Sequence, residues 1–360
     1  MNKYTQKISD NMQNQLREYV KTQTKRQGFV EAEDLEGLET SVNPQNLDLN
    51  EGFTLDDLIK TFKLSMVTES LTDQYAEVHL EGAKKYNADW FHDYIAGFWV
   101  PDELGHMEPH KKVLINLGLY EADLDKELKY AAEQTSYPPK HRGGNLPVQL
   151  TTYGMIQECV TDYWYKLQAN IFPINSKARK AILKVKGREA LHTFQFRNLT
   201  AFQLEDDPGL LEPFLETVCN FEMPGNHIPN VKEYEHKAVD WLPYMNGTVF
   251  EQLKRIIKNL YKTLEDPLQF GKLMLKYADS REMQIISFLP NSYVLKVANA
   301  LKWSHGIVGE VILEQVGLSN LAPAYGGMYG KLRNPIKRWI NAKFNLRNYF
   351  NMETNSVATN

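Results

Sequence analysis

Two short patterns carry the chemistry of this chain: Glu103-Leu104-Gly105-His106 and Glu189-Ala190-Leu191-His192. Residues three apart in a helix project from one face, so each Glu-x-x-His pair can grip a metal ion from a single helix. A further glutamate lies upstream of each on an apolar helical stripe. Glu69 is 34 residues before Glu103, and Glu158 is 31 residues before Glu189. The order Glu, Glu-x-x-His, Glu, Glu-x-x-His, on four long helices, is the ligand set of a carboxylate-bridged dinuclear metal site in a four-helix bundle. Four carboxylates and two imidazoles suit iron or manganese better than a thiolate-loving metal. Desolvating so many carboxylates would be prohibitive without cations, so inward-facing side chains would require ions.

A lone Glu-x-x-His is a weak signal, and about one is expected by chance. Glu233-Tyr234-Glu235-His236 is a third copy, in a polar stretch after Pro224 and Pro229, and reads as solvated surface. His110, one turn beyond His106, reads as a hydrogen-bonded core or rim histidine. Cys159 reads as a small buried side chain. Gly326-Gly327-Met328-Tyr329-Gly330-Lys331 fails the P-loop spacing and reads as a loop.

The elements that must carry these residues are helical, since alternating β-branched runs are nearly absent. Thr54-Leu55-Asp56-Asp57 is a capping-box-like start. Leu55, Leu58, Phe62, Met66, Glu69, Asp73 and Ala76 follow at helical spacing, with two carboxylates on the apolar face. A second run covers roughly 88–117, with Gly118 as its stop. A short charged helix is expected at 121–133, then a break at 137–145. Long helices are predicted from Pro147 to Asn170 and from near Ser176 to about Leu204. Further helices are expected at 210–220, 247–265 and 292–316. Pro101, two residues before a candidate ligand, removes a helix hydrogen bond and favours a kink or π-like bulge. The expected organisation is a polar arm over 1–50, a helical di-metal bundle over 51–240, and added C-terminal helices with a basic tail over 241–360. The fold class is all-α, a ferritin-like four-helix bundle with additional flanking helices.

Composition bounds the function. The chain has 360 residues, 41 Lys+Arg against 45 Asp+Glu, and a net charge of −4. That balance argues against a general nucleic-acid binder. Two cysteines cannot build a disulfide framework or a four-cysteine zinc site. The first residues are polar and lack the apolar core of a signal peptide, and no apolar stretch approaches a membrane span. The default compartment is the cytoplasm.

The motifs resemble those of the soluble acyl-acyl-carrier-protein desaturases, the ferritin-like di-iron stearoyl desaturase type. Met66-Val67-Thr68-Glu69 with Tyr75, and Trp99-Val100-Pro101-Asp102-Glu103-Leu104-Gly105-His106, resemble the segments around that family's first two ligand positions. Gln157-Glu158-Cys159-Val160-Thr161 and Gly187-Arg188-Glu189-Ala190-Leu191-His192 resemble the other two, and Asp207-Pro208 and Met223-Pro224 follow in the family's order. The likeness runs from about 55 to 230.

The resemblance implies an O₂-dependent enzyme that introduces a double bond into a carrier-tethered acyl chain. It implies metal ligands Glu69, Glu103, His106, Glu158, Glu189 and His192. It gives Thr161 a part in proton delivery. Two iron ions are expected, with a manganese/iron pair as the variant. The expected partners are an acyl carrier protein, a ferredoxin-type electron donor and a second copy in a homodimer. Thr68, Trp99, Leu150 and Met155 lie near ligands and could line an acyl channel, or could be core packing. Lys177, Arg179, Lys180, Lys184, Lys186 and Arg188 form one candidate docking face. Lys331, Arg333, Lys337, Arg338, Lys343 and Arg347, interleaved with Trp339, Ile340 and Phe344, form another. Arg188 stands where the family usually has an Asp that orients a histidine ligand. Asp102 or Asp162 could supply that carboxylate instead. No tryptophan precedes Trp90, whereas the family has an N-terminal one linked to electron transfer. These departures keep two other readings open: a di-iron hydroxylase or oxygenase on another tethered substrate, and a ferritin-like metal- or lipid-binding protein without turnover.

Overall fold

The computed structural model describes residues 4–23, 28–136 and 144–264. The chain divides into two compact units, Met1–Asn259 and Leu260–Asn360, and everything described below belongs to the first unless stated. The expected helix at 292–316, the glycine loop at 326–331 and the basic tail lie outside the described residues, as does most of the expected break after 136.

Every regular element among the described residues is helical. In chain order these are α1 (Asp10–Gln23), α2 (Ala32–Leu35), α3 (Leu55–Glu69), α4 (Thr72–Lys85) and α5 (Asp89–Tyr94). A π-helical turn, Ile95–Trp99, leads into α6 (Val100–Glu103) and then α7 (Met107–Asn116), α8 (Glu121–Gln134), α9 (Pro147–Ile171) and α10 (Lys177–Asp206). The order closes with α11 (Leu211–Cys219), α12 (Lys232–Trp241) and α13 (Val249–Thr263), whose last turn belongs to the second unit. No described helix is long and apolar enough to cross a membrane.

The two longest helices, α9 and α10, are the centre of the fold. A five-residue link, Phe172–Ser176, joins them, and Ser176 caps α10 by accepting from the Arg179 amide at 3.2 Å. They run antiparallel, because Thr151 meets Thr200, Gly154 meets Phe196 and Thr161 meets Glu189. The α9 helix is buried nearly all round, which explains why its sequence has no clean polar face. The α3 helix starts as expected, with Thr54 and Asp57 forming a reciprocal capping box. It packs on α7, and α4 packs on α9.

The expected run through Ala76 is interrupted. Helix α3 ends at Glu69, Ser70 and Leu71 turn the chain, and α4 restarts at Thr72. The restart changes the register, so Asp73 is exposed rather than on the apolar face. The second run is also broken twice. The π turn precedes Pro101, which has no N–H to give Gly97, and the Val100 amide bonds Ile95 O instead. Residues 104–106 form a turn before α7, whose Pro109 cannot donate to Gly105. Gly118 closes α7 with φ +100°, a conformation that favours glycine.

Two helices escape a reading by composition. The stretch expected as a polar arm contains α1, which buries Met12, Leu16 and Val20 and packs on α5 and α10. Helix α12 forms in the polar segment after Pro229 and packs on α3, burying Trp241.

Candidate metal centre

Four elements bring six side chains to one point. Glu69 is the last residue of α3, Glu103 ends α6 with His106 in the following turn, Glu158 is in the middle of α9, and Glu189 and His192 are in α10. All are buried: Glu158 and Glu189 are 1% exposed and both histidines 0%. They form two overlapping groups that could each hold a metal ion, Glu69–Glu103–His106–Glu189 and Glu103–Glu158–Glu189–His192. One ligand atom from each member lies within 4.8 Å of the others. Glu103 and Glu189 belong to both groups, so their carboxylates lie where two ions would share them.

The donor atoms converge with their lone pairs facing one another. His106 Nδ1 lies 2.7 Å from Glu189 Oε1, 3.1 Å from Glu103 Oε2 and 4.0 Å from Glu69 Oε2. His192 Nδ1 lies 2.5 Å from Glu103 Oε1 and 3.7 Å from Glu158 Oε2. Yet Glu103 Oε1, Glu189 Oε1 and both Nδ1 atoms are buried without a hydrogen-bond partner. Orphaned polar atoms this deep would cost free energy in an ordinary core. Ligands held about 2.1 Å from one ion sit roughly 3 Å from each other, and the contacts of Glu189 Oε1 and Glu103 Oε2 with His106 Nδ1, at 2.7 and 3.1 Å, lie near that spacing. The residues therefore fit a pair of metal ions.

Electrostatics point the same way. Burial, with the charges of Glu189 and Glu103, raises the Glu69 carboxyl well above its ordinary range. Burial, with Glu103 and Glu189, does the same to Glu158. Burial opposes charge on His106, but Glu103 and Glu189 prevail and raise its pKa well above the usual value. His192 is raised likewise, against burial, chiefly by Glu103. Glu103 is held down at about 2 despite burial, by the two imidazoles. Protons thus crowd the cluster where cations could stand. With Asp102, it presents five buried carboxylates against the single guanidinium of Arg188. Two divalent ions together with Arg188 would balance those charges.

Asp102 is the orienting carboxylate. It is fully buried, and its Oδ2 lies 2.8 Å from His192 Nε2 and accepts from Arg188 Nε at 2.6 Å. Its Oδ1 lies 3.7 Å from His106 Nε2. One carboxylate thus faces both imidazoles and leaves each Nδ1 turned inward. Hydrogen bonds from the histidines overcome burial and hold Asp102 well below the usual carboxylate range. Arg188 supports Asp102, with its guanidinium 5.4 Å from the Phe29 ring centre and 5.7 Å from Phe98. The structure does not give Asp162 this part. It is bound by Lys186 and Arg255, each at 2.8 Å, because the preceding residue, Thr161, takes the face turned to the ligands.

Thr161 Oγ1 donates to Glu189 Oε2 at 2.9 Å while remaining near Glu158 O at 3.0 Å. Its hydroxyl thus touches one of the clustered carboxylates. Trp99 Nε1–H donates to Glu158 Oε1, 3.2 Å away, and its ring stacks on His79 at 5.5 Å. Thr68, Leu150 and Met155 are buried, and Leu150 packs over Gly82. His110 is fully buried, bonded through Nδ1 to His106 O at 2.9 Å, and outside both ligand groups. Cys159 is a buried free thiol, its pKa pushed up to about 12 by burial. Glu233 and His236 of the third motif are exposed.

Tyr165 was missed. Its hydroxyl donates to Glu69 Oε1, from a side chain that is 1% exposed. Its position seven residues after Glu158, two turns along the same face, was the available signal. The basic face of α10 is mostly occupied from within. Lys177 donates to Glu36 O, Arg179 to Phe172 O and Asn170, Lys184 to Asp34, Lys186 to Asp162 and Arg188 to Asp102. Folding uses these cations as helix ties, which weakens the case for an open docking face there.

No family model matches the chain, and no curated protein matches it.

Proposed function

We propose that this protein is an O₂-dependent di-metal oxidase of the ferritin-like type, with an acyl chain as substrate. The observation that carries the reading is the pair of overlapping ligand groups that share Glu103 and Glu189. The bundle reading follows from their placement: α3, the α5–α6 run, α9 and α10 would be the four core helices. Glu69, Glu103, His106, Glu158, Glu189 and His192 would hold two iron ions, or a manganese/iron pair. When bound, such a pair of reduced metals supplies the oxidising power of dioxygen to an unactivated CH₂.

The chain's own residues have definite tasks in this reading. Asp102 holds both imidazoles in orientation. Thr161 holds a proton on Glu189 Oε2, next to where reduction of oxygen consumes protons. The aromatic wall of Phe98, Trp99 and Phe196 excludes water on one side. Removal of two hydrogens would give a double bond; the resemblance of the four motifs to acyl-carrier-protein desaturases favours that outcome. A carrier protein and a ferredoxin-type donor are part of the same proposal. The Arg188–Asp102 arrangement, absent from the family pattern, favours hydroxylation of a tethered substrate as the second reading.

The deciding experiment counts metal in the purified chain and analyses the products. The ferrous-reconstituted protein is supplied with reduced ferredoxin, dioxygen and acyl-carrier substrates. Two irons per chain with an unsaturated acyl product supports the first reading, and an alcohol the second. Two bound metals with no product on any acyl carrier would leave a binding protein.

A further inference from the structure

Tyr165 has a hydroxyl that packing does not require, since phenylalanine would fill nearly the same space. It lies on α9 two turns beyond Glu158 and reaches the other end of the cluster, where it donates to Glu69. Its ring centre is 4.6 Å from that of His110. Phe62, 5.9 Å from His110 and 5.7 Å from Phe172, closes the pocket with apolar surface. All four side chains are 2% exposed or less. The result is an oxidisable phenol buried among aromatic rings, hydrogen-bonded to a carboxylate that would ligate a metal.

We propose that Tyr165 is a redox-active tyrosine that forms a neutral phenoxyl radical when the metal pair has been oxidised by dioxygen, an inference that rests on the di-metal reading above. The step balances as one electron and one proton. The Tyr165 O–H bond breaks, the electron reduces the oxidised metal pair by one unit, and the proton passes along the existing hydrogen bond to Glu69. Moving both together avoids a charged radical cation in a low-dielectric pocket. The ring then stores one oxidising equivalent beside the centre, which adds one-electron chemistry to the two-electron oxidation of a CH₂.

Trp99 is the competing donor, because it also contacts a ligand carboxylate. The phenol is favoured on proton chemistry. Its hydroxyl already donates to Glu69 Oε1, so the proton has an acceptor in place, and loss of one electron with that proton leaves a neutral ring. Tyr165 packs on His110, with Phe62 and Phe172 beyond it.

The test uses the full chain, loaded without oxygen with ferrous iron, assayed for iron, exposed to dioxygen and frozen for EPR. A free-radical signal is expected, with hyperfine structure that collapses when ring-deuterated tyrosine is incorporated. Tyr165→Phe should bind iron to the same content and lose the signal, while Trp99→Phe should retain it. The proposal is overturned by iron uptake and oxidised-iron absorption without a radical. It is equally overturned by a radical that survives in Tyr165→Phe, or one insensitive to the tyrosine label in the unsubstituted protein. Failure to take up iron at all would instead overturn the di-metal reading and this inference with it.

Discussion

Asp102 shows how much can depend on one carboxylate. It neutralises Arg188, orients His192 and faces His106, all without solvent. Removing one partner of a buried charge pair commonly costs about 3–5 kcal/mol, because the other charge is stranded. Asp102→Ala is therefore expected to lower unfolding stability by that amount in a urea titration. Asp102→Asn should cost less, since it keeps an acceptor for His192. An unchanged midpoint in the alanine variant would show that Arg188 finds another partner. For the ligands themselves, His192→Ala is expected to leave at most one tightly held metal per chain, because its group would keep only carboxylates. Glu233→Ala, on the exposed third motif, should leave metal content unchanged. Elemental analysis of the three proteins side by side checks both statements.

Helices position these residues through a few exacting contacts. A Cβ on Gly154 would lie 2.8 Å from two ring carbons of Phe196, which is itself fully buried where α9 crosses α10. Gly154→Ala should destabilise the protein by about 1–3 kcal/mol, as overpacking does. A urea midpoint equal to that of the parent would mean that the helices separate without cost. Pro101 acts through the backbone. Pro101→Ala restores an N–H able to bond Gly97 O, so the π turn can anneal into α-helix. That would remove one residue of slack and rotate the downstream residues by about 100°. Metal content is then expected to fall below two per chain while helical content by circular dichroism holds. Full metal content in that variant would mean that the π turn does not depend on the proline.

Over the whole protein, stability and metal loading should be linked through pH. Glu69, Glu158, His106 and His192 all have raised pKa values in the folded state. Each therefore contributes stability that is complete below its unfolded value, ordinarily 4.5 for Glu and 6.5 for His, and is lost as pH rises through the folded value. Glu103 and Asp102 act oppositely, contributing stability that is lost only as pH falls below the ordinary carboxylate range. The metal-free protein should thus weaken from neutral to alkaline pH. Metal takes the place of the protons and binds deprotonated ligands. The rise in Tm on adding iron or manganese is expected to be larger at about pH 8 than at about pH 6. Calorimetry with and without metal measures this, and an equal or smaller gain at the higher pH would contradict the proton–metal exchange.

Residue type and period were enough to pick out the six side chains that cluster, because a glutamate or histidine on an apolar helical stripe has few ordinary explanations. The same reasoning found the turned-in face of Thr161, the cap at Thr54 and the backbone disturbance near Pro101, since each depends on neighbours within about one turn; the contact of Thr161 with Glu189 comes from the packing of α9 on α10. It placed Asp73 wrongly, because a two-residue break at Ser70–Leu71 leaves almost no mark on composition yet changes the register of everything after it. It also left Asp102 and Asp162 undivided. Only the packing of α6 against α10 brings Arg188 and His192 to Asp102, while α13 brings Arg255 to Asp162. Tyr165 reaches Glu69 across 96 residues, a pairing that no local spacing encodes. Contacts along one helix are written in its period; contacts between helices depend on crossing geometry, which arises only when the chain folds.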